Sequence, residues 1–73
     1  MFTYDAIADV QAWSAAHSRG DMSGEDVRNA YSNILTDLEN FAYDAMINGD
    51  DNAREYFNMQ ANTYRTVFNS FNI

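Results

Sequence analysis

Residues 48–55, NGDDNARE, bring the carboxylates Asp50, Asp51 and Glu55 close together, and clustered carboxylates are the natural ligands of hard divalent cations. A calcium loop of the EF-hand type needs ligands at alternating positions, a central glycine and a distant glutamate, and this run has none of that order. It reads instead as a turn that ends one helix and caps the next. His17 is the only histidine and the chain has no cysteine, so an ordinary zinc site has no ligand set. Ser14 and His17 share a helical face, but no glycine-rich elbow or oxyanion-hole signature accompanies them, and no phosphate-cradling glycine loop occurs. His17 is read as a rim residue at a helix C-terminus, where the dipole favours a cation. No metal, no cofactor and no enzymatic activity is expected. The tripeptide Arg19, Gly20, Asp21 is taken as a chance occurrence.

The chemistry left over is recognition. Tyr43, Met46 and Ile47 fall off the apolar seam of the longest helical stretch, and Tyr56 and Met59 fall off the seam of the next. A tight connection between those stretches would bring the five into one aromatic and apolar patch, rimmed by Glu39, Asp44, Asp50, Asp51 and Glu55. Tyrosine and methionine suit an adaptable contact surface. The competing reading is ordinary exposed surface, partly covered by the first helix.

Charge decides which partners fit. Eleven acidic residues face four basic ones, all arginine, for a formal charge of −7. Phosphate backbones and anionic lipid surfaces repel such a chain, so neither direct nucleic-acid binding nor a membrane role is expected. A basic protein surface is the complementary partner, the nucleic-acid-binding site of another protein being the leading example. Asp5 with Asp9, and Asp37 with Asp44, lie one and two helical turns apart and offer a crude imitation of phosphate spacing, although −7 is modest beside a duplex carrying a charge every ~1.7 Å. The alternative is a structural homo-oligomer, minimally a homodimer, that buries its spare aromatics against itself. In composition the chain is similar to the small accessory and inhibitor proteins that phages and mobile elements encode. That likeness covers no motif.

The elements that must position these residues are helices. Within residues 23–49, Val27, Tyr31, Ile34, Leu38, Phe41 and Ala45 alternate steps of four and three, the spacing that keeps side chains on one helical face, and Leu35 and Ala42 broaden that stripe toward a globular packing face. Ser23 with Asp26 three residues on is a short capping box, and Gly49 is the stop. Upstream, Thr3 is the expected N-cap of a first helix from about Tyr4 to His17 or Ser18, closed by Gly20. Its stripe is Ala6, Val10, Trp13 and His17, widened by Phe2 and Ile7, with Asp5, Asp9 and Gln11 turned away. Downstream, Asp50 or Asp51 caps a third helix from about Asn52 to Ser70. Its stripe is Ala53, Phe57, Gln60, Ala61, Tyr64, Val67, Phe68 and Phe71, with Gln60 expected at an edge or in a cross-helix hydrogen bond.

The absence of proline and of any strand pattern completes the expectation: an all-α, small three-helix bundle over residues 1–73 as one helical domain, with helices 2 and 3 forming an antiparallel hairpin. No window approaches the roughly 18 apolar residues of a membrane span, and no leader pattern opens the chain, so a cytoplasmic setting is expected. At this size a single core supplies only about 3–5 kcal/mol. With no disulfide or metal to add, the 15% aromatic content must carry the packing.

Overall fold

A computed structural model of the protein describes residues 4–71. Three helices account for 87% of them, with no strand among the described residues: α1, Ala6–Arg19; α2, Gly24–Ile47; and α3, Asp51–Phe71. α2 packs most closely on α3, α1 packs next on α3, and α1 touches α2 least. The result is a three-helix bundle 44 × 20 × 17 Å in extent. No helix among the described residues is long and apolar enough to cross a membrane.

Local signals set the helix ends. The Ser23 hydroxyl accepts from the Asp26 amide while the Asp26 carboxylate accepts from the Ser23 amide, each at 3.0 Å, so two donors that the first helical turn leaves unpaired are satisfied. Gly20, at φ 81°, closes α1 in the left-handed conformation, and the Asp21 amide reaches back to the Ala16 carbonyl. Gly49, at φ 73°, does the same after α2. Asp50 then caps α3 by accepting from the Ala53 amide at 3.1 Å.

α1 starts later than its sequence implies. Its N-cap is Asp5, whose carboxylate accepts from the Ala8 amide at 3.0 Å. Thr3 and Phe2 lie outside the described residues. Aspartate is at least as good a cap as threonine, and here it replaces a first-turn role with the capping role itself.

The central core joins Ala6 and Val10 of α1, Leu38 of α2, and Ala61 and Tyr64 of α3, with Tyr4, Trp13, Tyr31, Ile34, Phe57 and Phe68 among the rings and aliphatic groups packed on it. Tyr31 stacks flat on Phe68 with centroids 3.9 Å apart, and Tyr4 meets Tyr64 edge-on at 6.5 Å. Two expectations change, at Phe41 and at Ile7. Phe41 is 37% exposed, and Ala42, one position on, takes the buried place; a methyl group there lets α2 approach α3 closely while the Phe41 ring tilts over Phe57 at the edge. His17, at the end of the stripe, is exposed as a rim residue is, and Ala16 beside it is buried; the His17 Nδ1 donates to the Met22 carbonyl at 3.0 Å and holds the ring over the connecting turn. Ile7 does not widen the apolar stripe of α1 but points to solvent.

Candidate functional site

The core cluster contains no residue of α2 after Leu38 and none of α3 before Phe57. Beyond that level the two helices close on small side chains, with Ala42 and Ala45 buried, and on the Phe41 ring against Phe57, while Tyr43, Met46 and Ile47 of α2 face outward. This end of the α2–α3 pair is called the tip below. Tyr43 is 59% exposed, Ile47 63%, and Met46 is exposed with them. α1 is too short to accompany α2 throughout: 14 residues against 24, or about 21 Å against about 36 Å.

The expected patch residues fall into two open depressions. Tyr43 and Met46 line the first with Glu39 and Ala42 of α2 and Arg54 and Asn58 of α3. Met59 and Glu55 line the second, together with Asn62, Thr63, Thr66 and Val67 further along α3. Ile47 stands exposed at the end of α2. Tyr56 is half-buried and meets Phe57 edge-on at 5.4 Å. On α3, Met59 and Arg54 are five residues apart, about 140° round the helix, so they flank opposite sides of it. Asp44 is exposed, Asp50 caps α3, and Asp51 lies 3.8 Å from Arg54.

Arginines enter the site where the acidic rim alone was expected. Arg65 donates to Glu39 across the two helices at 2.9 Å and to Asn62 at 2.9 Å. Arg54 and Arg65 are eleven residues apart, close to three full turns, and so share one flank of α3. That spacing is visible in the sequence, but the flank of α2 it meets is not. Both ion pairs are solvent-exposed and add little to stability. Their effect is to orient charge: at the tip Glu39, Asp44, Asp50, Asp51 and Glu55 outnumber Arg54 and Arg65.

A second polar feature lies between α1 and α3. The Tyr64 hydroxyl donates to the Asp9 carboxylate, which is half-buried and not turned away from the bundle as expected. Burial first, then this hydrogen bond and the charges of Asp9, Tyr4 and Asp5, push the Tyr64 hydroxyl pKa far up. Tyr4 is raised as well, by burial and then by Asp37 and Tyr56. Asp9 is thereby occupied inside the protein and is a poor stand-in for a phosphate. Among the described residues no three His, Cys, Asp or Glu side chains are grouped to hold a metal ion.

Comparison of the chain with protein-family models, with curated proteins and with solved structures finds no match in any of the three.

Proposed function

We propose that this chain is a non-enzymatic binding protein that docks the tip of its α2–α3 pair on a basic surface of a partner protein and acts by covering it. The observation that carries the reading is the exposure of Tyr43, Met46 and Ile47 within a tip where five carboxylates stand against two guanidiniums. Large apolar groups in a charged rim are the composition of a recognition surface, and the excess of carboxylates selects for lysine and arginine opposite. A surface that another protein uses to hold nucleic acid fits this best, because the cations that face phosphates there face carboxylates equally well. An inhibitor of the kind that phages and mobile elements encode is the form this action takes.

The reading includes α2 and α3 as an antiparallel hairpin. Tyr31 with Phe68 and Phe41 with Phe57 support it, since later residues of α2 pair with earlier residues of α3, across a connection of three residues between Ile47 and Asp51.

Two measurements test the proposal. Light scattering is expected to return the monomer mass of 8.3 kDa; a doubled mass that falls to the monomer on Tyr43→Ala would establish the homo-oligomer instead. The immobilised protein is expected to retain a basic, nucleic-acid-binding protein from host lysate at moderate salt, and Tyr43→Ala is expected to lose it. Identical retained sets for parent and variant would refute a docking role for the tip.

A further inference from the structure

We propose that Asn48 is a site of self-modification, where the chain converts its own side-chain amide to a carboxylate when the connection between α2 and α3 opens. The inference is independent of what docks at the tip. Of the nine asparagines, Asn48 alone precedes a glycine, and among the described residues it alone stands outside the helices, exposed at the C-cap of α2.

The chemistry is intramolecular, so the reacting groups are already neighbours. The Gly49 amide nitrogen, on losing its proton, attacks Cγ of Asn48. The new N–Cγ bond forms as the Cγ–Nδ2 bond breaks, and the side-chain nitrogen leaves as ammonia, taking up the proton that Gly49 lost. Water then adds to a carbonyl of the five-membered imide. Cleavage at Cγ leaves aspartate at position 48, whereas cleavage at the backbone carbonyl leaves isoaspartate, with the chain running through the former side chain. Nothing is oxidised or reduced, and water is the sole co-reactant. Glycine suits the attack because no Cβ crowds the nucleophile and its backbone turns freely; the space a Cβ of Gly49 would occupy is open.

The folded connection holds this reaction off. Asn48 has ψ −2°, so the Gly49 nitrogen is eclipsed with the backbone nitrogen of Asn48, whereas ring closure needs it beside Cβ. That nitrogen is also engaged, donating to the Met46 carbonyl at 3.1 Å, and the Asp50 amide next to it donates to the Ala45 carbonyl at 2.9 Å. Attack therefore awaits a rotation about the Asn48 Cα–C bond that breaks the turn. The opening required is local, because the central cluster contains no residue of α2 after Leu38 and none of α3 before Phe57.

The products act on the same turn. α2 has no basic residue in its last turn, so a carboxylate at position 48 meets the negative end of the helix dipole uncompensated. Isoaspartate adds a methylene to the backbone of a short connection. The tip thus carries a slow, irreversible gain of charge.

The test ages the full chain at neutral pH in buffer and, in parallel, in urea above its unfolding transition, with peptide mapping by mass spectrometry and fragmentation that tells isoaspartate from aspartate. Conversion is expected at Asn48 ahead of every other asparagine, with isoaspartate among the products. It is expected to run at least about tenfold faster in urea, the ratio reporting the cost of opening the connection. Below the unfolding transition the rate is expected to stay level with urea, because opening a few residues exposes little surface. Gly49→Ala, compared with the parent in urea where the fold plays no part, is expected to lose most of the conversion. Conversion led by another asparagine, aspartate formed without isoaspartate, or a Gly49→Ala rate equal to the parent's would overturn the site. Equal rates in buffer and in urea would overturn its protection by the turn, and a rate climbing with urea in step with global unfolding would overturn the local opening.

Discussion

The Tyr64 hydroxyl donates to the Asp9 carboxylate across 55 positions of sequence, and this bond ties α1 to α3. Tyr64 is fully buried, its ring lying against Tyr4 and Trp13. A buried hydroxyl needs a partner, and a carboxylate is a strong one.

Replacing Tyr64 with phenylalanine keeps the ring and removes the donor. The expected loss at neutral pH is about 1–2 kcal/mol, measured by urea unfolding. The pH profile follows from the direction of the Tyr64 shift. The folded hydroxyl holds its proton above the ordinary value of 10.0, so its contribution is fully present below pH 10 and is lost as pH rises through the folded pKa, because the unfolded chain ionises first. The parent is therefore expected to lose stability steeply above pH 10, and Tyr64→Phe less steeply, with Tyr4 supplying the remainder. Parallel alkaline profiles would remove Tyr64 from the account.

The core makes a second comparison possible. Leu38 is 0% exposed and belongs to the central cluster, so Leu38→Ala is expected to cost roughly 2–5 kcal/mol, as much as the whole stability of many domains of this size. Phe41 stands at the same spacing in the sequence stripe but at the edge of the structure, and Phe41→Ala is expected to cost only about 1–2 kcal/mol. Thermal melts of the two variants decide between edge and core: equal losses would mean that Phe41 is held as deeply as its sequence position implies.

That contrast shows what the amino-acid pattern carries and what it omits. Ser23, Asp26, Gly20 and Gly49 act on backbone groups within a few residues of themselves, so their roles are legible without knowing the fold. The stripe of α3 is legible too, because α3 packs against both other helices and buries a wide face. The choice between Phe41 and Ala42 depends on how closely two helices approach, and the pairing of Asp9 with Tyr64 depends on which flank of α1 meets α3. Neither is a property of one helix. The same reason explains the candidate site: Tyr43, Met46 and Ile47 stand out as off-seam residues, but the separation of Met59 from them, and the entry of Arg54, follow from the mutual rotation of α2 and α3.

Glycine supplies the third test. Gly20 and Gly49 have open space around a notional Cβ but positive φ, whereas Gly24 sits in the first turn of α2 with the Arg28 guanidinium 3.5 Å from such a Cβ, an ordinary contact. Gly49→Ala is therefore expected to destabilise by about 1–2 kcal/mol through backbone strain alone. Gly24→Ala is expected to stabilise by about 0.4–1 kcal/mol by narrowing the unfolded ensemble. Melting temperatures moving in the same direction for both would contradict the assigned backbone conformations.

The last prediction separates anchoring from steering at the tip. Tyr43→Ala removes an exposed ring and leaves a good helix former in α2, so it is expected to raise the off-rate of a bound basic partner with little change in association. Asp50→Asn with Asp51→Asn acts differently. Asparagine caps a helix as well as aspartate does, so the bond from the Ala53 amide survives in kind, while two of the tip's five carboxylates lose their charge and Arg54 loses its ion pair. Association is expected to slow, and its dependence on salt to flatten, with the off-rate nearly unchanged. Surface plasmon resonance at two or more ionic strengths reads both effects. A Tyr43→Ala variant that altered only the association rate, or an Asp50, Asp51 double variant whose salt dependence matched the parent, would show that the ring and the carboxylates do not divide the work in this way.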